Sequence, residues 1–295
     1  MDLETFIVAV YCVVDEALPL VLDGRRLRQR GPRPILADSE VVTIEVVGEF
    51  LRLDQDAALF AHFRRYHVDL FPGLATMHRT TFVRQAANLW QVKERIWQLV
   101  LTQIPHDPAV SLVDSFPLPV CRFARAPRCR RFQGEATFGY DALNRQAFYG
   151  FRCHVRCVRP GVIATLSLAP ANEADRTVLP DLLDGVAGFV VGDRGYWSPS
   201  LAEQLRPYGV LLLASYRSAT HDPDPQRSQL LSRIRRRIET TFGQLVDHFT
   251  IKRVWARDLW HLRNRLQRKL LSHTIATLLT GALDHPPLQH ARLLT

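Results

Sequence analysis

The sequence predicts an α/β fold, a mixed sheet flanked by helices and preceded by an all-helical N-terminal domain. Three observations predict it. Residues 1–105 read as helices joined by turns. Past Pro108, short apolar runs alternate with turn signals and helical stretches. The composition, 47% apolar and 23% charged over 295 residues, is that of a globular chain long enough for one large domain or two moderate ones.

The elements follow in order. Residues 1–22 are mostly apolar, and the basic Pro/Gly stretch GRRLRQRGPRP at 24–34 reads as a linker or arm. Asp38 and Ser39 can cap a helix running to about Leu53, and a second helix spans about 56–66. FPGLA at 71–75 is a turn, and 79–104 reads as one long helix ending before Pro105. Short helices with basic faces suit a helix-turn-helix DNA reader. They suit a plain helical bundle equally.

AVSLVDSFPLPV at 109–120 is a short apolar strand carrying Asp114. CRFARAPRCRR at 121–131 has five arginines in eleven residues and no acid, which suits a loop facing phosphates or an exposed basic loop. Strands at about 147–158 and 162–169 flank Pro160-Gly161 and pair as a hairpin. Residues 175–183 form a helix, GFVVGDRGY at 188–196 a strand ending at Asp193, 199–205 a short helix and 210–216 a strand. A polar connector then leads into a long helix. There Ile234, Ile238, Phe242, Leu245 and Phe249 form an apolar stripe, and Glu239 sits at its edge in the most basic run of the chain.

Charge narrows the function. A formal net charge of +9 favours polyanionic partners, nucleic acid first. The apolar run FIVAVYCVV at 6–14 has acidic flanks where a signal peptide needs a basic n-region, and it is too short for a membrane span, so a cytoplasmic protein is expected, with no membrane partner. Five cysteines make no disulfide framework, and Cys153 and Cys157 lie in a strand-like run. Residues 227–269 hold twelve Lys/Arg against three acids, interleaved with Trp255 and Trp260. That pattern fits backbone tracking on DNA or a basic amphipathic helix closing the core.

Asp114, Asp193 and Glu239 lie on the first strand, at the end of the fourth, and on the helix after the fifth. If the two strands are neighbours, both aspartates meet at one sheet position, and a helix across the sheet can bring Glu239 there. Three hard oxygen donors suit Mg²⁺ or Mn²⁺. Two such ions about 3.5–4 Å apart serve phosphoryl transfer, with arginines neutralising the phosphodiester.

The phrases LVDSFPLPVC, YGFRCHV, LSLAPANEADRTVLPDLL, VVGDRGYWS and RIRRRIETTFGQL carry a resemblance covering roughly residues 109–280. The chain resembles bacterial insertion-sequence transposases of the DDE (Asp-Asp-Glu) type, most of all insertion-sequence family nine-eight-two. The resemblance implies a ribonuclease-H-like catalytic core at 106–280, behind a helical domain at 1–105 for DNA binding or dimerisation, with a tail at 281–295. It carries catalytic and metal-binding roles onto Asp114, Asp193 and Glu239. Arg235 matches a basic residue one turn before the Glu; Ser232 stands where a Tyr is frequent, and Arg253, beside Lys252, where a Lys is frequent. Arg194, Arg235, Arg236, Lys252 and Arg253 are the expected DNA contacts. Trp197 could hold a flipped base, though a core Trp is the plainer reading. The implied chemistry is hydrolysis at the element's end, leaving a 3′-hydroxyl that attacks target DNA in line, with two Mg²⁺ or Mn²⁺ ions and no covalent protein–DNA intermediate. The implied partners are element ends, target DNA and further copies of the chain on DNA. Two rivals remain: a nuclease of the same fold that cuts without joining, and a DNA-binding protein without catalysis.

Overall fold

The computed structural model describes every residue except Arg26, Gln29, Ala219 and Thr295. The expected arm at 24–34 therefore lies partly outside the described residues, as does the end of the expected tail. The chain divides into two compact units, residues 1–104 with 245–251 and 255–295, and residues 105–244 with 252–254.

The first unit is helical. It contains α1 (Leu3–Val21), α2 (Asp38–Phe50), α3 (Asp56–Tyr66), α4 (Arg79–Asn88) and α5 (Trp90–Thr102). The long helix expected at 79–104 is two helices, because Leu89 leaves helical geometry at φ −91°, ψ 7°. No Gly or Pro marks that break. Apolar positions of α1, Phe6, Ile7, Val10, Val14 and Ala17, are buried at helical spacing. Gly48 of α2 lets α3 approach closely: a Cβ there would meet Leu59 Cδ1 at 2.5 Å.

The second unit holds a six-stranded mixed sheet. Its strands are β1 (Asp107–Pro119), β2 (Thr137–Asp141), β3 (Gln146–Arg159), β4 (Val162–Pro170), β5 (Gly188–Gly192) and β6 (Val210–Ala214). β3 pairs antiparallel with β1 on one edge, and with β2 and β4 on successive stretches of the other. β5 runs parallel to β1, and β6 parallel to β5. The sequence reading missed β2, whose residues alternate between half-buried and exposed.

Helices cover the sheet. α6 (Asp175–Leu182) packs Leu179 and Leu182 into a core with Val113, Val190, Tyr196 and Val210, which α7 (Pro199–Leu205) closes with Leu205. α8 (Pro225–Gly243) crosses the sheet. Ser228 lies at the β6 end, where its hydroxyl accepts from the Tyr216 amide at 3.4 Å. Farther along, the Phe242 ring meets Phe116 of β1, and the Thr241 hydroxyl donates to the Gly161 carbonyl in the β3–β4 turn at 2.8 Å.

The last helix, α9 (Leu259–Ala282), belongs to the helical unit, where the sequence placed 106–280 in one catalytic domain. The reason is charge complementarity in the core. Arg268 and Lys269, each about 1% exposed, pair with Glu49 of α2, and Arg268 and Arg265 reach Asp56 of α3, both at 2.7 Å. Lys93 of α5 joins Glu45 and Asn264. Burial alone would lower the Arg268 guanidinium, but the charges of Glu49, Asp56 and Glu45 outweigh it and raise it. Three basic residues of the stretch at 227–269 are thus core ions, as a helix closing the core requires. The aromatics there are about half exposed and touch the helical unit: Trp260 meets Trp90 edge-on, and Trp255 Nε1 donates to Asp54 at 3.2 Å.

Candidate functional site

β1 and β5 pair only from Val110 to Leu112 against Phe189 to Val191. β1 then continues along β3 to Pro119, while β5 stops at Gly192. The strands part there, leaving an opening of the kind where open sheets place ligands. Asp114 stands on one side of it and Asp193, the residue after β5, on the other.

Asp114 shares a face of β1 with Leu112 and Phe116, the face toward α8. Arg235 of α8 donates through Nη2 to Asp114 Oδ2 at 2.6 Å, and the Ser115 amide donates to Oδ1 at 2.8 Å. Asp193 caps a short 3₁₀ turn and accepts from the Gly195 amide at 2.8 Å. Burial pushes the Asp114 carboxyl up, Arg235 pulls it down and the Asp193 charge pushes it up again, to about 6. The two aspartates therefore feel each other's charge.

A residue the sequence reading did not single out joins them. Asp175, in the first turn of α6, accepts from Ser115 Oγ at 2.6 Å, and His154 Nδ1 of β3 lies 3.4 Å away. Tyr196 is wholly buried and its hydroxyl has no hydrogen-bond partner. Burial, then the charges of Asp175, Asp114 and Asp193, raise that hydroxyl well above its ordinary value. The signal in the sequence lies in the phrase ANEADRTVLPDLL, whose second acid is Asp175.

Glu239 is exposed on α8, one turn past Arg235. Asp114 and Asp193 are brought together, then, with Arg235 on Asp114, while Glu239 stays at the helix flank. Among the described residues, as their side chains stand, no three or more His, Cys, Asp or Glu are grouped so as to hold a metal ion.

The expected DNA contacts fall as follows. Arg194 is exposed directly after Asp193. Arg236 is exposed and lines a cleft of about 540 Å³ with Arg233, Arg237 and Arg159. Lys252 is half-buried and Arg253 exposed, in the short segment 252–254 that belongs to the sheet unit. Trp197 packs edge-on against Tyr216 at 4.9 Å. The arginine-rich loop lines a separate groove of about 780 Å³ with Arg122, Arg125, Arg128, Arg130 and Arg131.

The antiparallel run β4–β3–β1, extended by parallel β5 and β6 and carrying acids at the ends of β1 and β5, defines a ribonuclease-H-like domain with an acidic site. Residues 106–259, just over half of the chain, match the family model described as Transposase DDE domain, and the chain belongs to that family. Such domains generally use divalent metal ions. In fold the chain is similar to piggyBac transposase, solved by cryo-EM as a synaptic complex with hairpin DNA. The identity is 12%, the TM-score 0.51, and the match covers 96% of this chain and 75% of that one. No curated protein is significantly similar. No helix among the described residues is long and apolar enough to cross a membrane.

Proposed function

We propose that this chain is an insertion-sequence transposase, of insertion-sequence family nine-eight-two, that cleaves DNA at the ends of its element and joins them to target DNA. The observation that carries the reading is the juxtaposition of Asp114 and Asp193 where β1 and β5 part. The pair fits a divalent cation, because burial and like charge lift Asp114 to about 6 even with Arg235 against it, a repulsion that a cation relieves. Asp114 and Asp193 would hold it, with Glu239 joining from α8, as Mg²⁺ or Mn²⁺ and as two ions. Such a cation supplies Lewis acidity toward the scissile phosphate.

The chain's own side chains do the rest. Arg235, one turn from Glu239, can give its guanidinium to a phosphate oxygen in exchange for Asp114. Arg194, Arg236, Lys252 and Arg253 supply positive charge along the DNA backbone and fix its register without reading bases. The helical unit is assigned to DNA-end binding or to contacts between copies on DNA.

The test is Mg²⁺-dependent cleavage of DNA flanking the chain's own reading frame, wild type beside Asp193→Asn. Metal-dependent nicks at a fixed end should disappear in the variant while DNA binding persists. Cleavage that survives in Asp193→Asn would sink the site. Binding without cleavage by either protein would favour a non-catalytic DNA-binding protein.

A further inference from the structure

Asp175 reaches the opening between β1 and β5 from the face opposite α8. It is not occupied as a helix cap: the N-cap of α6 is Ala174, and no side-chain hydrogen bond caps the helix. Its Oδ1 is fixed by Ser115 Oγ at 2.6 Å, and Ser115 is steadied in turn by Arg152 Nη1 at 3.3 Å. A Cβ on Gly195 would lie 3.4 Å from Asp175 Oδ2 and 2.9 Å from Asp193 Oδ1, so both oxygens lie close to the bare Gly195 Cα.

Two further side chains aim into this acidic cluster without finding a partner. His154 is 0% exposed, and neither ring nitrogen makes a hydrogen bond, although Nδ1 stands 3.4 Å from Asp175 Oδ1. The Tyr196 hydroxyl is equally buried and equally unpartnered. Buried polar groups are ordinarily satisfied, and an unsatisfied one marks a missing ion, water or ligand. Two such groups beside three carboxylates point to a ligand that brings positive charge and donors or acceptors of its own. A hydrated divalent cation does both, since magnesium keeps several waters and takes only one or two carboxylates directly.

We propose that Asp175 is a further carboxylate of the cation site, acting with Asp114 and Asp193 from the α6 side while Glu239 approaches from α8. Two cations need more anionic oxygen than a pair of aspartates supplies, and Asp175 is the acid already at the strand ends. Ser115 is its positioning residue: its hydroxyl sets the carboxylate's rotamer and does not touch the cation. The inference rests on the proposed metal site of Asp114 and Asp193.

The experiment is a Mn²⁺ titration of the full chain without DNA, following free Mn²⁺ by electron paramagnetic resonance, for wild type, Asp114→Asn, Asp175→Asn and Ser115→Ala. Circular dichroism and urea midpoints establish which variants are folded. Asp175→Asn is expected to weaken Mn²⁺ binding about ten- to a hundredfold, as loss of groups around a metal site does. Ser115→Ala keeps the charge but frees the carboxylate, so it should weaken binding less than Asp175→Asn does, and it carries the test if Asp175→Asn fails to fold. Weaker binding in Asp114→Asn with unchanged binding in Asp175→Asn and Ser115→Ala overturns the role of Asp175 and leaves the metal site standing. Unchanged binding in all three variants removes the metal site itself, and Asp175 with it.

Discussion

Gly195 shows how little room the site leaves. Its amide donates to Asp193, and its missing side chain leaves room beside the oxygens of Asp193 and Asp175. Gly195→Ala would place a methyl 2.9 Å from Asp193 Oδ1, closer than a carbon and an oxygen sit without bonding. The carboxylate must turn, and a misplacement of about 1 Å at a reacting centre can cost up to about a hundredfold in rate. We expect Gly195→Ala to lower metal-dependent cleavage by that order with an unchanged urea midpoint; equal cleavage by variant and wild type would show that Asp193 is not held there for catalysis. The same residue scale explains what was legible. Asp114 and Asp193 could be found because each ends or interrupts an apolar strand run. Asp175 could not, because an acid in a first helical turn looks like an ordinary dipole-satisfying residue, and its partner Ser115 is a distant residue with no chemical signature.

At the level of elements, strands announced by apolar runs and a Pro-Gly turn were readable, whereas β2 and the break at Leu89 were not. β2 is a half-exposed edge strand, and the helix breaks without Gly or Pro because packing, not local propensity, decides it. For α9 the sequence left two readings open, backbone tracking on DNA and a helix closing the core. Its basic residues look like a solvated or DNA-facing surface, since burial of charge depends on acids far away in sequence: Glu45, Glu49 and Asp56. A buried pair is weak evidence for net stability, yet breaking one from a single side strands its partner without solvent. Arg268→Ala should therefore destabilise the helical unit by about 3–5 kcal/mol, read as a fall in urea midpoint. A shift of only a few tenths would mean that water reaches Glu49 and Asp56 and that α9 is held by its leucines alone.

Over the whole molecule, the response to acid is set by groups that the folded chain keeps neutral. His290, near the end of the chain, is buried against Phe249 and His273, and its Nε2 shares a hydrogen bond with Thr277 Oγ1 at 3.0 Å. Burial, then the nearby His248, lowers His290 to about 4, and burial with its two histidine neighbours lowers His273 well below the ordinary value. An unfolded histidine takes its proton near pH 6.5. Between about 6.5 and about 4 the unfolded chain therefore binds protons that the folded chain refuses, and stability falls as pH falls through that window. For His290 alone the loss is about 2–3 kcal/mol by the time the pH reaches about 4.5. His290→Gln can keep a hydrogen bond to Thr277 but has nothing to titrate. Urea midpoints at about pH 7 and about pH 4.5 should drop steeply for wild type and less so for the variant. Equal drops would place His290 in contact with solvent and assign the acid sensitivity to the other buried histidines, His273 and His154.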